Sequence, residues 1–150
     1  MDKMLFGFYA LELLDRSTPM EEENKVLFEL LEKFIRTMRK EERVLPMMVA
    51  YELKFASFIG YRPHLGGCVA CGAKDSDIWD FDHTKGGLIC SNCRGGKGDP
   101  LLDGEVKQMK LLLMSKLEDV GDLQIPDKTL WKTHYRMSDY LLYNLDIILD

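Results

Sequence analysis

Apolar side chains recur at helical spacing along most of the chain. In "MLFGFYALELLD" (4–15), Leu5, Phe8, Tyr9, Leu11 and Leu13 make a broad apolar face and predict a first helix. The polar, Pro-containing "RSTPMEEEN" leads to a more regular stripe over about 21–39. There Val26, Leu27, Leu30, Leu31, Phe34, Ile35 and Met38 follow the i, i+3/i+4, i+7/i+8 pattern of an amphipathic helix. A third helix is predicted over 45–59, with Pro46 tolerated in its first turn. Its apolar residues Met47, Met48, Val49, Leu53, Phe55, Phe58 and Ile59 leave little polar surface, so it belongs at the centre. Gly60 is placed to end it at C′, and Pro63 prevents a restart. Two helices close the chain. One is capped by Asp103, runs to about Glu118 and turns Leu111, Leu112, Met114 and Leu117 inward. The other opens at Pro126–Asp127 and reaches about Asp146, with Leu130, Trp131, His134, Met137, Leu141 and Leu145 inward. Phe6, Phe8, Phe28, Phe34, Phe55 and Phe58 are read as core, and His134 as a satisfied core or boundary histidine.

Between the third and fourth helices the period changes. "IWDFD" and "GGLIC", joined by "HTKG", predict an antiparallel hairpin, and "RGGKGDP" a flexible exit from it. The fold class is therefore mainly α: a helical bundle in one domain over 1–150, with a four-cysteine zinc-finger β-hairpin inserted at about 64–98. The 150 residues suffice for a real core, and no repeat or low-complexity tract interrupts them.

All four cysteines fall in the hairpin region, as Cys68-x2-Cys71-x18-Cys90-x2-Cys93. Two residues between cysteines let a tight turn aim both sulfurs at one ion, and Gly72 eases the first turn. Two such turns supply a tetrahedral four-sulfur site, and the spacer suits one structural Zn²⁺. Other chemistries fit less well. Ferredoxin-type clusters use different spacings, a redox CxxC sits in a βαβ unit, and a catalytic zinc needs an open position that four thiolates deny. His83 lies in the hairpin turn and is read as solvent-facing. The few large apolar residues between the cysteines, Ile78, Trp79, Phe81, Leu88 and Ile89, hardly offset the entropy of ordering the segment. Metal binding contributes ~10 kcal/mol or more in small zinc modules. Trp79 and Phe81 are expected to pack beside the site.

The formal net charge is −5, or about −7 with a zinc tetrathiolate. That acidity argues against a free-standing nucleic-acid binder. One basic stripe stands against it: Arg36, Arg39, Lys40 and Arg43, spaced to share a helical face that phosphates would meet. A second candidate patch is Lys85, Arg94 and Lys97 around the hairpin and its exit. Both patches compete with a plainer reading as solvated cations, favourable for the first at a helix C terminus. No apolar run is long enough to span a membrane, and the opening segment lacks the basic start and cleavage site of a signal peptide. A cytosolic setting follows, where clustered cysteines bind metal rather than form disulfides.

The residues around the cysteines carry a resemblance. "YELKFASFIGYRPHLGGCVACG" and "FDHTKGGLICSNC" resemble the C-terminal region of bacterial RecO: a helix ending in Gly60-Tyr61, then Pro63, Leu65 and the first CxxCG, with Gly86-Gly87 before the second CxxC. "FYALELLDRSTPMEEENKVLFELLEKFI" is similar to the first two helices after the family's N-terminal domain. The resemblance implies a recombination mediator in DNA repair, not an enzyme, located in the bacterial cytoplasm and associated with the nucleoid. Such proteins bind single- and double-stranded DNA, anneal strands, engage the tail of single-stranded-DNA-binding protein and, with RecR and often RecF, help load RecA. It also implies a zinc finger of the Arf-GAP kind, with Cys68, Cys71, Cys90 and Cys93 as ligands. The family's full-length form has an N-terminal OB-fold, and this sequence is expected to begin at the helical region that follows it, without the OB-fold. The end, "YLLYNLDIILD", departs from the family's usual His-Leu-Gly with basic residues after it. Two rival readings are a protein-binding zinc scaffold without DNA affinity and an Arf-GAP-like regulator. The second expects its arginine in a helix, whereas Arg94 falls in "RGGKG".

Overall fold

The computed structural model describes residues 3–17, 21–95 and 99–149, and their side chains except those of 21–24 and 146–149. The element order is α1 (Lys3–Arg16), α2 (Glu21–Lys40), α3 (Leu45–Phe58), β1 (Ile78–Asp82), β2 (Gly87–Cys90), β3 (Leu101–Leu102), α4 (Asp103–Met114), a 3-10 turn at Val120–Asp122 and α5 (Asp127–Leu149). The mainly helical class with a cysteine-bearing hairpin is thus the observed one.

Helix α3 is central because it is apolar on nearly every side, with Leu45 through Leu53 all buried. It packs against α2, α4 and α5. Its end is a Schellman motif: the Gly60 N–H donates to Ser57 O and the Tyr61 N–H to Ala56 O, at 3.2 and 2.8 Å. Gly60 has φ +89°, the left-handed geometry expected at C′.

The outer helices present faces other than those read from periodicity. On α1 the buried residues are Phe6, Ala10, Leu13 and Leu14, while Leu5, Phe8 and Leu11 are exposed. Nearly every turn of α1 is apolar on several sides, so the small residue Ala10, which permits close approach, decides which side faces inward. On α2 the stripe holds from Leu27 to Met38, but Val26 and Phe28 face outward, and Phe58 on α3 is also exposed. Helix α4 stops at Met114 instead of reaching Glu118. Ser115 is extended there (ψ 152°), leaving Leu111 and Met114 exposed, while Leu117 is buried from the following turn. Asp103 is the first helical residue, not the cap; the cap position is Leu102, whose N–H donates to Glu105 Oε1 at 2.9 Å.

The sheet order is β2-β1-β3, antiparallel throughout, with Trp79 opposite Cys90 on one side and Leu101 on the other. The glycine-rich exit gives no sign of strand β3, which is only two residues long and exists through its pairing with β1. The "HTKG" turn is held by Asp82, whose Oδ1 accepts from the Thr84 and Lys85 N–H groups, and by Gly86 N–H donating to Asp82 O at 2.8 Å. Trp79, Leu88, Ile89, Cys90 and Leu101 belong to the same buried cluster as the helices. The hairpin is therefore seated on the bundle.

Candidate metal centre and partner surfaces

The two CxxC turns are built alike. The Gly72 N–H donates to Cys68 O and the Cys68 N–H to Ala73 O, each at 2.8 Å, with Gly72 at φ +82°. In the second turn the Cys93 and Arg94 N–H groups donate to Cys90 O at 3.1 and 2.9 Å. The β1–β2 register then brings the turns together, and the Cys90 N–H donates to Cys68 Sγ at 3.3 Å.

All four sulfurs lie within 4.8 Å of one another, and Cys71 Sγ is 3.6 Å from Cys90 Sγ. Tetrahedral coordination at about 2.3 Å per bond separates sulfurs by about 3.8 Å, so this donor set fits such an ion. Cys68 and Cys90 are buried, Cys71 and Cys93 exposed. Burial opposes a charge on Cys68, but the N–H groups of Cys90, Cys71 and Ala70 outweigh it and bring its thiol down to about 6. Cys93, hydrogen-bonded to Cys71 and Cys90, is pushed up to about 12. The Cys68 and Cys93 thiols are thus pushed in opposite directions; a divalent cation would favour the thiolate on both, since a coordinating thiol is deprotonated. A bound metal would supply cross-linking of the two turns and no open position for chemistry.

The glycine pair near the site has a steric reason. A Cβ on Gly87 would lie 2.5 Å from Val69 Cγ1 and 2.9 Å from the His64 carbonyl oxygen, where Leu88 N–H donates to His64 O. A Cβ on Gly86, at φ +72°, would lie 2.9 Å from the Tyr140 hydroxyl, which donates to Tyr61 O at 2.7 Å. His83 is exposed in the turn and packs edge-on against Tyr143 at 5.0 Å.

Of the first basic stripe, Arg36, Arg39 and Lys40 are exposed at the end of α2. Arg43 lies beyond the helix, so the register that would align it with them ends at Lys40. Its guanidinium is held by Leu123 O, Ile125 O and Asp127 Oδ1, tying the α2–α3 connection to the start of α5. Of the second patch, Lys85 and Arg94 line one concavity of about 430 Å³, with Asp80 and Asp82 beside them. Lys97 lies outside the described residues. Arg94 sits in a bend after the second turn, not in a helix.

Two features lie beyond the reach of the sequence patterns. One is a buried polar cluster: Glu52, fully buried in α3, accepts from Tyr9 Oη at 2.6 Å and pairs with His134 Nδ1 at 2.8 Å. It joins α1, α3 and α5. Burial raises the Glu52 carboxyl, against the bonds from His134 and Tyr9. Burial disfavours a proton on His134, but the Glu52 carboxylate outweighs it and raises the imidazole as well.

The other is a cleft of about 310 Å³ lined by Val26, Leu30, Phe58, Met114 and Leu117 and by Glu29, Lys33, Lys54 and Lys116. It exists because α4 ends early and leaves its last turn open beside α2 and α3. Lys54 Nζ donates to Leu113 O at 2.7 Å, and Lys33 pairs with Glu118 at 3.1 Å. No helix among the described residues is long and apolar enough to cross a membrane.

Comparison with known proteins decides the family. A family model described as "Recombination protein O C terminal" matches residues 1–149. The chain belongs to the RecO family. It is 31% identical over 147 residues to the DNA repair protein RecO of Alkaliphilus metalliredigens, covering 96% of this chain and 60% of the relative. The RecO of Roseiflexus sp. is 31% identical, over 97% of this chain and 53% of the relative. That of Pelotomaculum thermopropionicum is 27% identical, over 97% and 57%. This RecO-family chain therefore spans between half and three-fifths of these relatives. No solved structure matches it. The family is one of DNA-repair recombination mediators, so the resemblance read around the cysteines is the relationship found across the whole chain.

Proposed function

We propose that this chain is the partner-engaging, C-terminal part of a recombination mediator that acts in the bacterial cytoplasm by binding and positioning, without catalysis. One structural Zn²⁺ on Cys68, Cys71, Cys90 and Cys93 holds the hairpin. The observation that carries the reading is the cleft between α2, α3 and the end of α4. Its apolar floor and three lysines complement an acidic peptide with an apolar end, the chemistry of a single-stranded-DNA-binding protein tail. Strand annealing and RecA loading with RecR are functions of the longer protein, in which an OB-fold supplies the main DNA contacts. Within this chain Arg36, Arg39 and Lys40 are the phosphate-facing residues, with Lys85, Arg94 and Lys97 as a second set.

Fluorescence anisotropy with a labelled nonapeptide, rich in aspartate and ending in a free Phe carboxylate, tests the cleft. Zinc-loaded chain is expected to bind it, and Phe58→Asp to abolish binding; equal binding by both refutes the assignment. For DNA, neutralising Arg36 and Arg39 is expected to lower the salt slope of single-strand binding by about one per lost phosphate contact. The net charge of −5 favours a second reading, a protein-binding scaffold with no DNA affinity of its own. Absence of single-strand binding at low salt decides for it.

A further inference from the structure

The lip of the cleft holds an arrangement that a passive peptide groove does not need. Lys33 on α2 and Lys54 on α3 line it, and Glu118, from the turn after α4, reaches back to pair with Lys33 at 3.1 Å. Both members of that pair are about half exposed, 46% and 45%, so the bridge lies open to solvent and to an incoming ligand. Lys33 and Glu118 also line the neighbouring concavity with Arg36, Thr37, Lys40 and Glu41. They therefore form the ridge between the apolar cleft and the basic end of α2. Lys54 is near enough to feel both: burial first, then the Lys33 ammonium, lowers its affinity for a proton, and the Glu118 carboxylate opposes them. The Lys33–Glu118 pair thus stands beside a second ammonium, Lys54, which is bonded to Leu113 O, at a site otherwise suited to a carboxylate-bearing peptide.

We propose that Glu118 is an intramolecular stand-in for the ligand's carboxylate: it occupies Lys33 in the free chain and is displaced when an acidic peptide enters the cleft. This rests on the cleft reading above. Displacement is easy because an exposed ion pair is weak and salt-screened. Specificity follows from the same contact. A ligand without a carboxylate at that point leaves the Lys33–Glu118 bridge in place and gains nothing from the lip. The early end of α4 is what allows it, since a helix continuing from Met114 would carry residue 118 along the helix rather than in a turn beside α2.

The test uses the zinc-loaded chain and the same labelled acidic nonapeptide, at 50 and 300 mM salt. Glu118→Gln is expected to bind about two- to five-fold more tightly than wild type at low salt, with the gain shrinking at high salt. Lys33→Met is expected to bind more weakly, and in the Lys33→Met/Glu118→Gln double variant the gain disappears. Equal affinity of wild type and Glu118→Gln, with Lys33→Met weakened, overturns the stand-in while leaving the cleft assignment intact. A gain from Glu118→Gln that survives in the Lys33→Met background also overturns it, since the effect is then only reduced long-range repulsion. Binding that ignores Phe58→Asp places the peptide elsewhere and refutes both.

Discussion

Replacing Gly86 by alanine should cost this chain about 2–3 kcal/mol, and the cost should depend on one hydroxyl group. Gly86 has φ +72°, where an L-residue pays roughly 1–2 kcal/mol. Its added Cβ would meet the Tyr140 hydroxyl at 2.9 Å, while the ring carbons stay at ordinary contact, 3.6 and 3.7 Å. Tyr140 is buried and its hydroxyl is engaged with Tyr61 O, so relief of the clash breaks a hydrogen bond worth about 0.5–1.5 kcal/mol. In a Tyr140→Phe background that second part is already lost, so Gly86→Ala should there cost only the backbone share. The double-mutant cycle should thus show coupling of about 1 kcal/mol. Urea unfolding in excess zinc, followed by tryptophan fluorescence, measures all four variants. An equal cost of Gly86→Ala in both backgrounds refutes the argument, because Tyr140 is then not what the glycine makes room for.

Metal removal by a chelator should abolish the near-UV signal of Trp79 in a Trp131→Phe background while most far-UV helical signal persists; an unchanged Trp79 signal after verified zinc loss refutes the staple role. The Glu52–His134 pair makes stability depend on pH with a definite sign. Both groups bind protons more tightly folded than unfolded, so their contribution is fully present below the unfolded values, about 4.5 and 6.5, and is lost as pH rises through the raised folded ones. A tenfold difference in proton affinity between the two states is worth about 1.4 kcal/mol. Relative to Glu52→Gln, wild type should therefore lose urea stability as pH rises above about 6.5 at saturating zinc, and parallel profiles would contradict it. Arg43→Met should cost about 2 kcal/mol because it strips the donor from two backbone carbonyls, whereas Asp127→Asn should cost under about 1 kcal/mol. Comparable losses in the two variants would show that the ion pair dominates.

How much of this is legible in sequence depends on whether a residue's role is local. The Gly60 stop, the CxxC turns and the "HTKG" hairpin are decided within a few residues by backbone geometry, and each is readable. The helices are readable as helices, but α1 offers apolar side chains on several faces. Only contact with the rest of the bundle decides that Ala10 and Leu13 turn inward while Phe8 stays out. The early stop of α4 is hidden for a related reason: Leu117 continues the apolar spacing yet is buried from a turn. Glu52 looks in sequence like a single charge on an apolar helix. Its partners, Tyr9 and His134, lie 43 and 82 residues away, beyond any local pattern. Gly86-Gly87 carries the family resemblance without a reason; Tyr140, Val69 and His64 supply one.

The seating of the hairpin also changes what the cysteine site does for the rest of the chain. A finger standing clear of the bundle could melt without consequence elsewhere. Here β1 pairs with β2, which carries Cys90, and with β3, which leads directly into α4. The Trp79 indole N–H donates to Asp103 Oδ1 at 3.1 Å, at the first helical residue of α4, and the Asp103 N–H donates to Asp77 O. Lys132 on α5 fastens the same junction through Pro100 O and Glu105. Met114 at the far end of α4, with Ser115 to Leu117 directly after it, forms a wall of the lysine-lined cleft. A twelve-residue helix is about 18 Å long and stiff, so where it starts fixes where it ends. The cysteines thus sit at one end of a rigid connection whose other end shapes the cleft. A metal that cross-links the two CxxC turns would therefore bear on the shape of the cleft through β1, β3 and α4.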